Sequence, residues 1–363
     1  MRPRWSPNAR CRGLMLAVIN GWMKALVVRQ PKPIEERPLE WRDLPVPEPR
    51  RGELLLRVRA CGVCRTDLHI VEGDLPPVRD QVVPGHQVVG TVVALGEGTS
   101  RFQLGDRVGI AWLRSTCGSC RYCAKGQENL CPNARFTGYH EDGGYAEYAV
   151  VPEQFAYAIP PSLGDAEATP LLCAGIIGYR ALRRANTRPG CRLGMYGFGS
   201  SAHIAIQVAR YWGCEVYVMT RELKHRELAR ALGAVWVGDA SEKPPVPLDS
   251  AILFAPVGHL VPPALEALDR GGTLAIAGIY LTDVPQLQYE RHLFYEKNLC
   301  SVTANTRADG DEMLALAAEI PIRPRTTHFP LSEANEALRQ LKHDGLEGTG
   351  VLLVGDDSGP ERP

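Results

Sequence analysis

From Met23 to about Pro161 the chain runs in short apolar stretches of period two, cut by Gly and Pro; residues 54–60, 88–95 and 145–151 are the clearest. Alternation of that kind puts every second side chain on one face of a strand, so this part is predicted to be an all-β unit with long loops. From about Asp165 the period lengthens. A helical stretch over 165–185 leads into strands at 192–196, 215–220, 235–237, 251–255, 273–278 and 299–304. Helices at 200–212, 224–232 and 262–269 lie between them, with a further one before the last strand. Strand–helix alternation buries a parallel sheet under helices on both faces, the doubly wound arrangement. From Asp309 to Asp356 two helical segments and a final apolar strand at 351–354 remain. The predicted fold class is α/β: a β-rich unit, then a doubly wound parallel-sheet unit.

The 363 residues suffice for two domains. Apolar residues make up 45% and charged residues 23%, and no run of twenty apolar residues occurs, which argues against disorder and against a membrane span. Lys plus Arg and Asp plus Glu number 41 each, so no net field draws the chain to a phosphate backbone. Neither nucleic acid nor membrane is an expected partner. Residues 1–22 carry a basic stretch and a short apolar run, but the run is too short for a signal peptide and no small-residue cleavage site follows. They read as a disordered or artefactual extension, with the first domain opening at Met23. Of eleven cysteines, six cluster by spacing; Cys11, Cys173, Cys191, Cys214 and Cys300 are scattered, which fits a reducing compartment and a cytoplasmic protein.

Cys117, Cys120, Cys123 and Cys131 form C-x2-C-x2-C-x7-C, four soft ligands within fifteen residues, with Gly118 and Gly126 to bend the loop. Tetrahedral Zn²⁺ suits four thiolates, and a closed site of that kind is structural. Free surface thiols, or an iron–sulfur cluster like those with a similar opening spacing, stay open as alternatives. Gly197-Phe198-Gly199-Ser200-Ser201-Ala202 falls between a predicted strand and helix, where glycines permit the tight turn and let a pyrophosphate approach the helix N-terminus. Three further segments are weak singly: Cys61-Gly-Val-Cys64-Arg65-Thr66-Asp67-Leu-His69, Pro84-Gly-His86-Gln87, and Leu171-Leu-Cys173.

Together with the four-Cys loop, these segments resemble the zinc-dependent alcohol dehydrogenases of the medium-chain dehydrogenase/reductase superfamily, from about Met23 to Val354 and in the family's order and spacing. The resemblance implies a GroES-like zinc-binding catalytic domain at 23–164, a Rossmann domain at 165–309, and a C-terminal segment, 310–363, returning to the catalytic domain. It implies two Zn²⁺ per chain: a catalytic one on Cys64, His86 and Cys173 with a fourth position open, and a structural one on Cys117, Cys120, Cys123 and Cys131. Thr66 and His69 match the proton relay, Asp67 the residue that orients the ligand histidine, and Arg65 a contact to the cofactor pyrophosphate. Gln87 departs from the family's usual Glu, and a neutral amide cannot stand in as an anionic ligand during exchange of water and substrate at the metal. Gly348-Thr349-Gly350 lacks an Arg that often touches the pyrophosphate. Trp112 matches an aromatic pocket wall, and Leu75 stands where ethanol-type enzymes carry a second Trp.

The expected activity is reversible hydride transfer between NAD(P)⁺ and a primary or secondary alcohol, extending to medium-sized or aromatic ones, by a homodimer or homotetramer. About twenty residues past the glycines, NAD enzymes place an acid that holds the ribose 2′-hydroxyl. Here Thr220 and Arg221 stand instead, an arrangement similar to NADP-using relatives, so the cofactor expectation leans to NADP. The alternatives are a reductase working mainly on aldehydes, and a zinc-ribbon module binding nucleic acid or protein through the four-Cys loop. The balanced charge and the glycine motif oppose the second.

Overall fold

The computed structural model describes residues 21–355. Of the N-terminal extension read from sequence, all but Gly21 and Trp22 lies outside the described residues, as do residues 356–363. Among the described residues no helix is long and apolar enough to cross a membrane.

In the first unit β1 (Trp22–Val27) and β2 (Glu40–Pro45) pair antiparallel. β3 (Glu53–Val63), the spine of the main sheet, ends directly before α1 (Arg65–Glu72) and pairs antiparallel with β4 (Gln87–Leu95), to which β5 (Arg107–Ile110) is added. β6 (Leu113–Ser115) and β7 (Arg135–Phe136) form a short ribbon that closes the four-Cys loop between them. β8 (Tyr148–Pro152) pairs with β3, and β9 (Ala156–Ala158) with β5. Leu54, Leu56 and Val58 of β3 pack with Val88, Val92, Val108 and Ile110 of its neighbours in one buried cluster. Burial of that apolar surface fixes the register, because a slip of one residue would turn the whole set outward.

The stretch 165–185, expected as one helix, is divided into α2 (Asp165–Ala168), a 3₁₀ turn over Thr169–Leu172, and α3 (Ala174–Arg184). Pro170 lies in the turn, and Cys173, at φ −135° and ψ −73°, leaves helical geometry. The break sets its thiol at the head of α3.

In the second unit β10 (Arg192–Tyr196), α4 (Ser200–Tyr211), β11 (Glu215–Met219), α5 (Leu223–Ala231), β12 (Trp236–Gly238), β13 (Leu248–Leu253), α6 (Val261–Ala267), β14 (Leu268–Ile276), α7 (Tyr289–His292) and β15 (Asn298–Ser301) follow in turn. The six strands are parallel, in the order β12-β11-β10-β13-β14-β15. That is the Rossmann order, which reverses between β10 and β13 and opens a crevice at the strand ends there. α8 (Arg307–Glu319) packs Met313, Leu314 and Ala317 into this unit's core, so the border expected at 309/310 falls inside a helix.

The chain then returns to the first unit. β16 (Thr326–Pro330), unanticipated because Pro324, Pro330 and a polar Thr-Thr-His run mask its alternation, pairs parallel with β17 (Thr349–Leu353), which pairs antiparallel with β3; α9 (Ala334–Lys342) lies between them. An edge strand tolerates Pro at its end.

The four-Cys loop also grips the second unit. Arg307, first residue of α8, places Nε 3.0 Å and Nη2 2.9 Å from Glu128 Oε2, and its backbone N–H donates to Glu128 Oε1 at 2.6 Å. Beside it Asn129 Nδ2 donates to the Thr303 carbonyl at 2.8 Å. Glu128 is 7% exposed. Arg307→Ala is therefore expected to strand a buried carboxylate and lower stability by about 1–3 kcal/mol, read from the urea midpoint; a loss under about 0.5 kcal/mol, the usual size for a surface change, would show the contact to be incidental.

Candidate active site and metal centres

Cys64 follows the last residue of β3 and His86 precedes the first residue of β4, and the register pairs Gly62 with Gln87. The ladder therefore delivers both side chains to one end of the sheet. Cys64 is the N-cap of α1: its Sγ accepts from Thr66 N–H at 3.3 Å, while Asp67 Oδ2 accepts from Cys64 N–H at 3.0 Å, a reciprocal capping box. Asp67 Oδ1 takes Gly85 N–H at 3.2 Å and His86 Nδ1 at 3.0 Å, which directs His86 Nε2 toward Cys64 Sγ, 3.4 Å away. Gly85 holds φ +95°, and a Cβ there would run into the Tyr145 ring, so the turn into His86 needs glycine. With Cys173 from the head of α3, the three ligand atoms lie within 4.8 Å of one another.

A hydrogen bond from Cys173 draws the Cys64 thiol well below its ordinary value, against the cost of burial and with help from His86. The same bond, then burial, pushes Cys173 well up. Burial opposes charge on His86, but Asp67 and Cys64 outweigh it and raise its pKa well above the ordinary imidazole value. Two thiols and an imidazole oriented from behind by a carboxylate match an open Cys2His zinc site, in which the metal replaces the protons. Gln87 is fully buried on the same strand end, and neither amide atom has a hydrogen-bond partner among the described residues.

In the four-Cys loop the sulfur separations are 3.5 Å (Cys117–Cys131), 3.6 Å (Cys120–Cys123) and 4.0 Å (Cys117–Cys123). Tetrahedral Zn²⁺ with bonds of about 2.3 Å sets sulfurs about 3.8 Å apart, so the donor set fits the ion. Backbone N–H groups of Ser119 and Cys120 bring Cys117 down to about 6, while burial lifts Cys131 to about 11. Among the described residues these two clusters are the groups able to hold a metal.

Around the first cluster the other expected residues divide. Thr66 is half-buried on α1, and one turn on, His69 Nδ1 lies 2.7 Å from Asp74 Oδ2 toward the surface. Trp112 meets the His86 ring edge-on at 5.1 Å and stacks on Phe136 at 4.8 Å. Leu75 lines a small cleft with Ile70, Pro77, Val82 and Tyr139, whose ring lies 6.2 Å from Trp112. Arg65 is exposed and pairs with Asp344 at 3.0 Å.

At the crevice of the second unit Gly197 has φ +89° and a Cβ there would press on the Ala255 backbone, while Gly199 is the N-cap of α4 with Ser200 and Ser201 in its first turn. Ala202 is fully buried. Ser200 Oγ meets Thr349 Oγ1 at 2.5 Å, so the C-terminal segment without its Arg still reaches this helix end. Thr220 is 4% exposed at the end of β11, and Arg221 is exposed. Arg226, overlooked in the sequence because it belongs to no motif, donates to the Thr220 carbonyl at 2.8 Å and the Arg221 carbonyl at 3.0 Å and pairs with Asp239. On α4 His203 is almost fully buried, with Nε2 accepting from Arg325 N–H at 3.3 Å and Nδ1 unpartnered among the described residues.

A β-rich unit carrying two zinc-type donor sets, joined to a Rossmann unit, defines a metal-dependent dinucleotide-linked dehydrogenase. Residues 50–161 match the alcohol dehydrogenase GroES-like domain and residues 202–319 the zinc-binding dehydrogenase domain. The chain is 56% identical over 337 residues to a probable alcohol dehydrogenase, AdhA, of Mycobacterium tuberculosis, covering 92% of this chain and 97% of that one. It is 37% identical to an alcohol dehydrogenase of Geobacillus stearothermophilus, covering 92% and 100%. Among solved structures it superposes on a cinnamyl alcohol dehydrogenase of Sorghum bicolor with a TM-score of 0.84, 27% identity and coverage of 94% and 100%. The chain belongs to the zinc-dependent alcohol dehydrogenases of the medium-chain dehydrogenase/reductase superfamily, and acts as an NAD(P)-linked oxidoreductase on alcohols, aldehydes or ketones.

Burial brings His203 from 6.5 down to about 4. Between those values the unfolded chain binds a proton that the folded chain refuses, so stability rises with pH across the window and falls as pH drops from 6.5 toward 4. His203→Asn is expected to flatten that dependence, by up to about 3 kcal/mol between pH 7 and pH 4. Urea midpoints at the two pH values test it; equal slopes in variant and wild type would contradict the burial effect.

Proposed function

We propose that Cys64, His86 and Cys173 hold the catalytic Zn²⁺, that Cys117, Cys120, Cys123 and Cys131 hold a structural one, and that the cofactor lies across Gly197–Ala202 with its nicotinamide directed into the cleft between the 23–164 and 165–309 units. The convergence of three ligand atoms within 4.8 Å, with Asp67 fixing the imidazole, carries this assignment. In that site Zn²⁺ supplies Lewis acidity that makes loss of an alcohol proton feasible near neutral pH, and NAD(P)⁺ accepts the hydride. The chain's own residues do the rest. Thr66, half-buried at the head of α1, passes the proton outward, and His69, one turn later at the surface, gives it to solvent. The ring of Trp112 against His86 shields one side of the site and gives a flat apolar wall to the substrate. The wall favours medium-sized or aromatic alcohols and aldehydes, in keeping with the cinnamyl alcohol dehydrogenase likeness. Gln87 offers a neutral amide where an anion would help exchange ligands. Scattered thiols and balanced charge support a cytoplasmic enzyme without nucleic-acid partners, and the family likeness a homodimer or homotetramer.

For the cofactor, the 2′-position of the adenine ribose is expected to meet Thr220 and Arg221 with Arg226 behind them, and no carboxylate at position 220 repels a 2′-phosphate. These groups support a preference for NADP.

Metal analysis of the purified protein should return two Zn²⁺ per chain, and one or none would sink the division into two sites. Cys64→Ala should abolish turnover while lowering stability by no more than the lost helix cap, about 1 kcal/mol, whereas Cys120→Ala should lower the urea midpoint much further, since a closed site contributes folding energy. Equal destabilisation by both changes contradicts the roles. Thr220→Asp should turn a modest NADP preference in kcat/KM into an NAD preference; a tenfold wild-type preference for NAD⁺, or an unmoved ratio, refutes the cofactor assignment.

A further inference from the structure

Cys191 and Cys214 belong to neither metal cluster. They directly precede β10 and β11, parallel neighbours whose register pairs Arg192 with Glu215, so the two cysteines occupy matching positions one step below the ladder. Glu215 N–H donates to the Cys191 carbonyl at 2.9 Å, which locks that alignment. Their sulfurs are 3.6 Å apart, and Cys214 Sγ is also 3.4 Å from the Arg188 carbonyl oxygen. Each cysteine follows a glycine at positive φ, Gly190 at +77° and Gly213 at +76°, so both sit at the ends of turns rather than inside paired strand. Cys191 is reached by solvent, while Cys214 is buried beneath it. The hydrogen bond from Cys214, followed by the backbone at Arg188, brings the Cys191 thiol down to about 7 against partial burial.

We propose that Cys191 and Cys214 form an oxidisable dithiol whose substrate is a peroxide and whose product is a disulfide at the foot of the parallel sheet. The partly exposed Cys191 thiolate attacks one oxygen of hydrogen peroxide, the O–O bond breaks, and hydroxide leaves as Cys191 becomes the sulfenic acid. The Cys214 sulfur then attacks the Cys191 sulfur; the S–S bond forms, and the sulfenic oxygen leaves as water with the Cys214 proton. Two thiols give up two electrons and one peroxide becomes two waters. A disulfide needs sulfurs about 2.05 Å apart, so closing the 3.6 Å gap takes side-chain rotation and little backbone movement, which the flanking glycine turns accommodate. The bond would close the segment between them, which carries β10, the Gly197–Ala202 turn and α4. The cysteines are at the opposite end of β10 from that turn, so cross-linking should stabilise the unit without touching the cofactor site.

The test uses the zinc-loaded protein, treated with hydrogen peroxide, blocked with iodoacetamide and digested with trypsin without reductant. Trypsin releases each cysteine alone, in peptides 185–192 and 211–221. The expected species is the two joined, lighter than their sum by two hydrogens, lost on dithiothreitol treatment and absent from Cys191→Ser. Oxidised wild type should melt several degrees higher than reduced protein, with Cys191→Ser showing no shift and ordinary turnover. Recovery of the two peptides singly alkylated, sulfinic acid at Cys191 beside an alkylatable Cys214, or disulfides among the four-Cys loop forming first would each overturn the proposal. Should Cys191→Ser fold poorly, Cys214→Ala serves the same comparison.

Discussion

Asp67 is wholly buried, and its two carboxylate oxygens receive the Cys64 N–H, the Gly85 N–H and the His86 ring. One side chain thus caps α1, ties down the turn before β4 and orients the His86 ring, leaving Nε2 to face Cys64 Sγ. Burial pushes its pKa up, and the neighbouring imidazole pulls it back. A carboxylate in so dry a place is held in charged form only while its donors are in place, so helix cap, turn and ligand orientation stand or fall together. Two of the three proposed metal ligands, Cys64 and His86, are therefore built at a single ladder end, where Gly62 faces Gln87.

The third ligand comes from elsewhere. Cys173 is supplied by the connector into the second unit, at a break between a 3₁₀ turn and α3, so the proposed metal site draws on both the ladder end and the connector. Other contacts hold that junction: Arg307 on Glu128, Asn129 on the Thr303 carbonyl, and Thr349 on Ser200 at the N-terminus of α4. The four-Cys loop is one of the surfaces by which the β-rich unit contacts the Rossmann unit. A closed metal site is useful there, because a loop of fifteen residues with little core of its own needs cross-linking to present Glu128 in a fixed place.

At the cofactor crevice the chain relies on backbone geometry more than on charge. In the proposed cofactor site the glycine turn and the N-terminus of α4 would supply the anion-binding groups, and Arg226 braces the strand end at Thr220 and Arg221 while paired with Asp239. Arg65, exposed, pairs with Asp344 at 3.0 Å.

Local pattern determined much of this protein. The strand Arg192–Tyr196 has the bounds its apolar run indicates, α4 and α5 differ by a residue from their periodicities, and the four-Cys spacing identifies its own cluster within one loop. Those features are set by neighbours in the chain, whose backbone preferences and ligand spacing act over a few residues. The gathering of Cys64, His86 and Cys173 was legible only through likeness to a family, since each is weak alone. The break of the expected helix at Cys173, the edge strand β16, Arg226 behind the cofactor strand, the Ser200–Thr349 contact across 149 residues and the Glu128–Arg307 pair across 179 were not legible at all. Only tertiary structure decided these, because they depend on how two sheets pack and which edges meet, and the free energy of such contacts belongs to pairs of surfaces and not to any local run of residues.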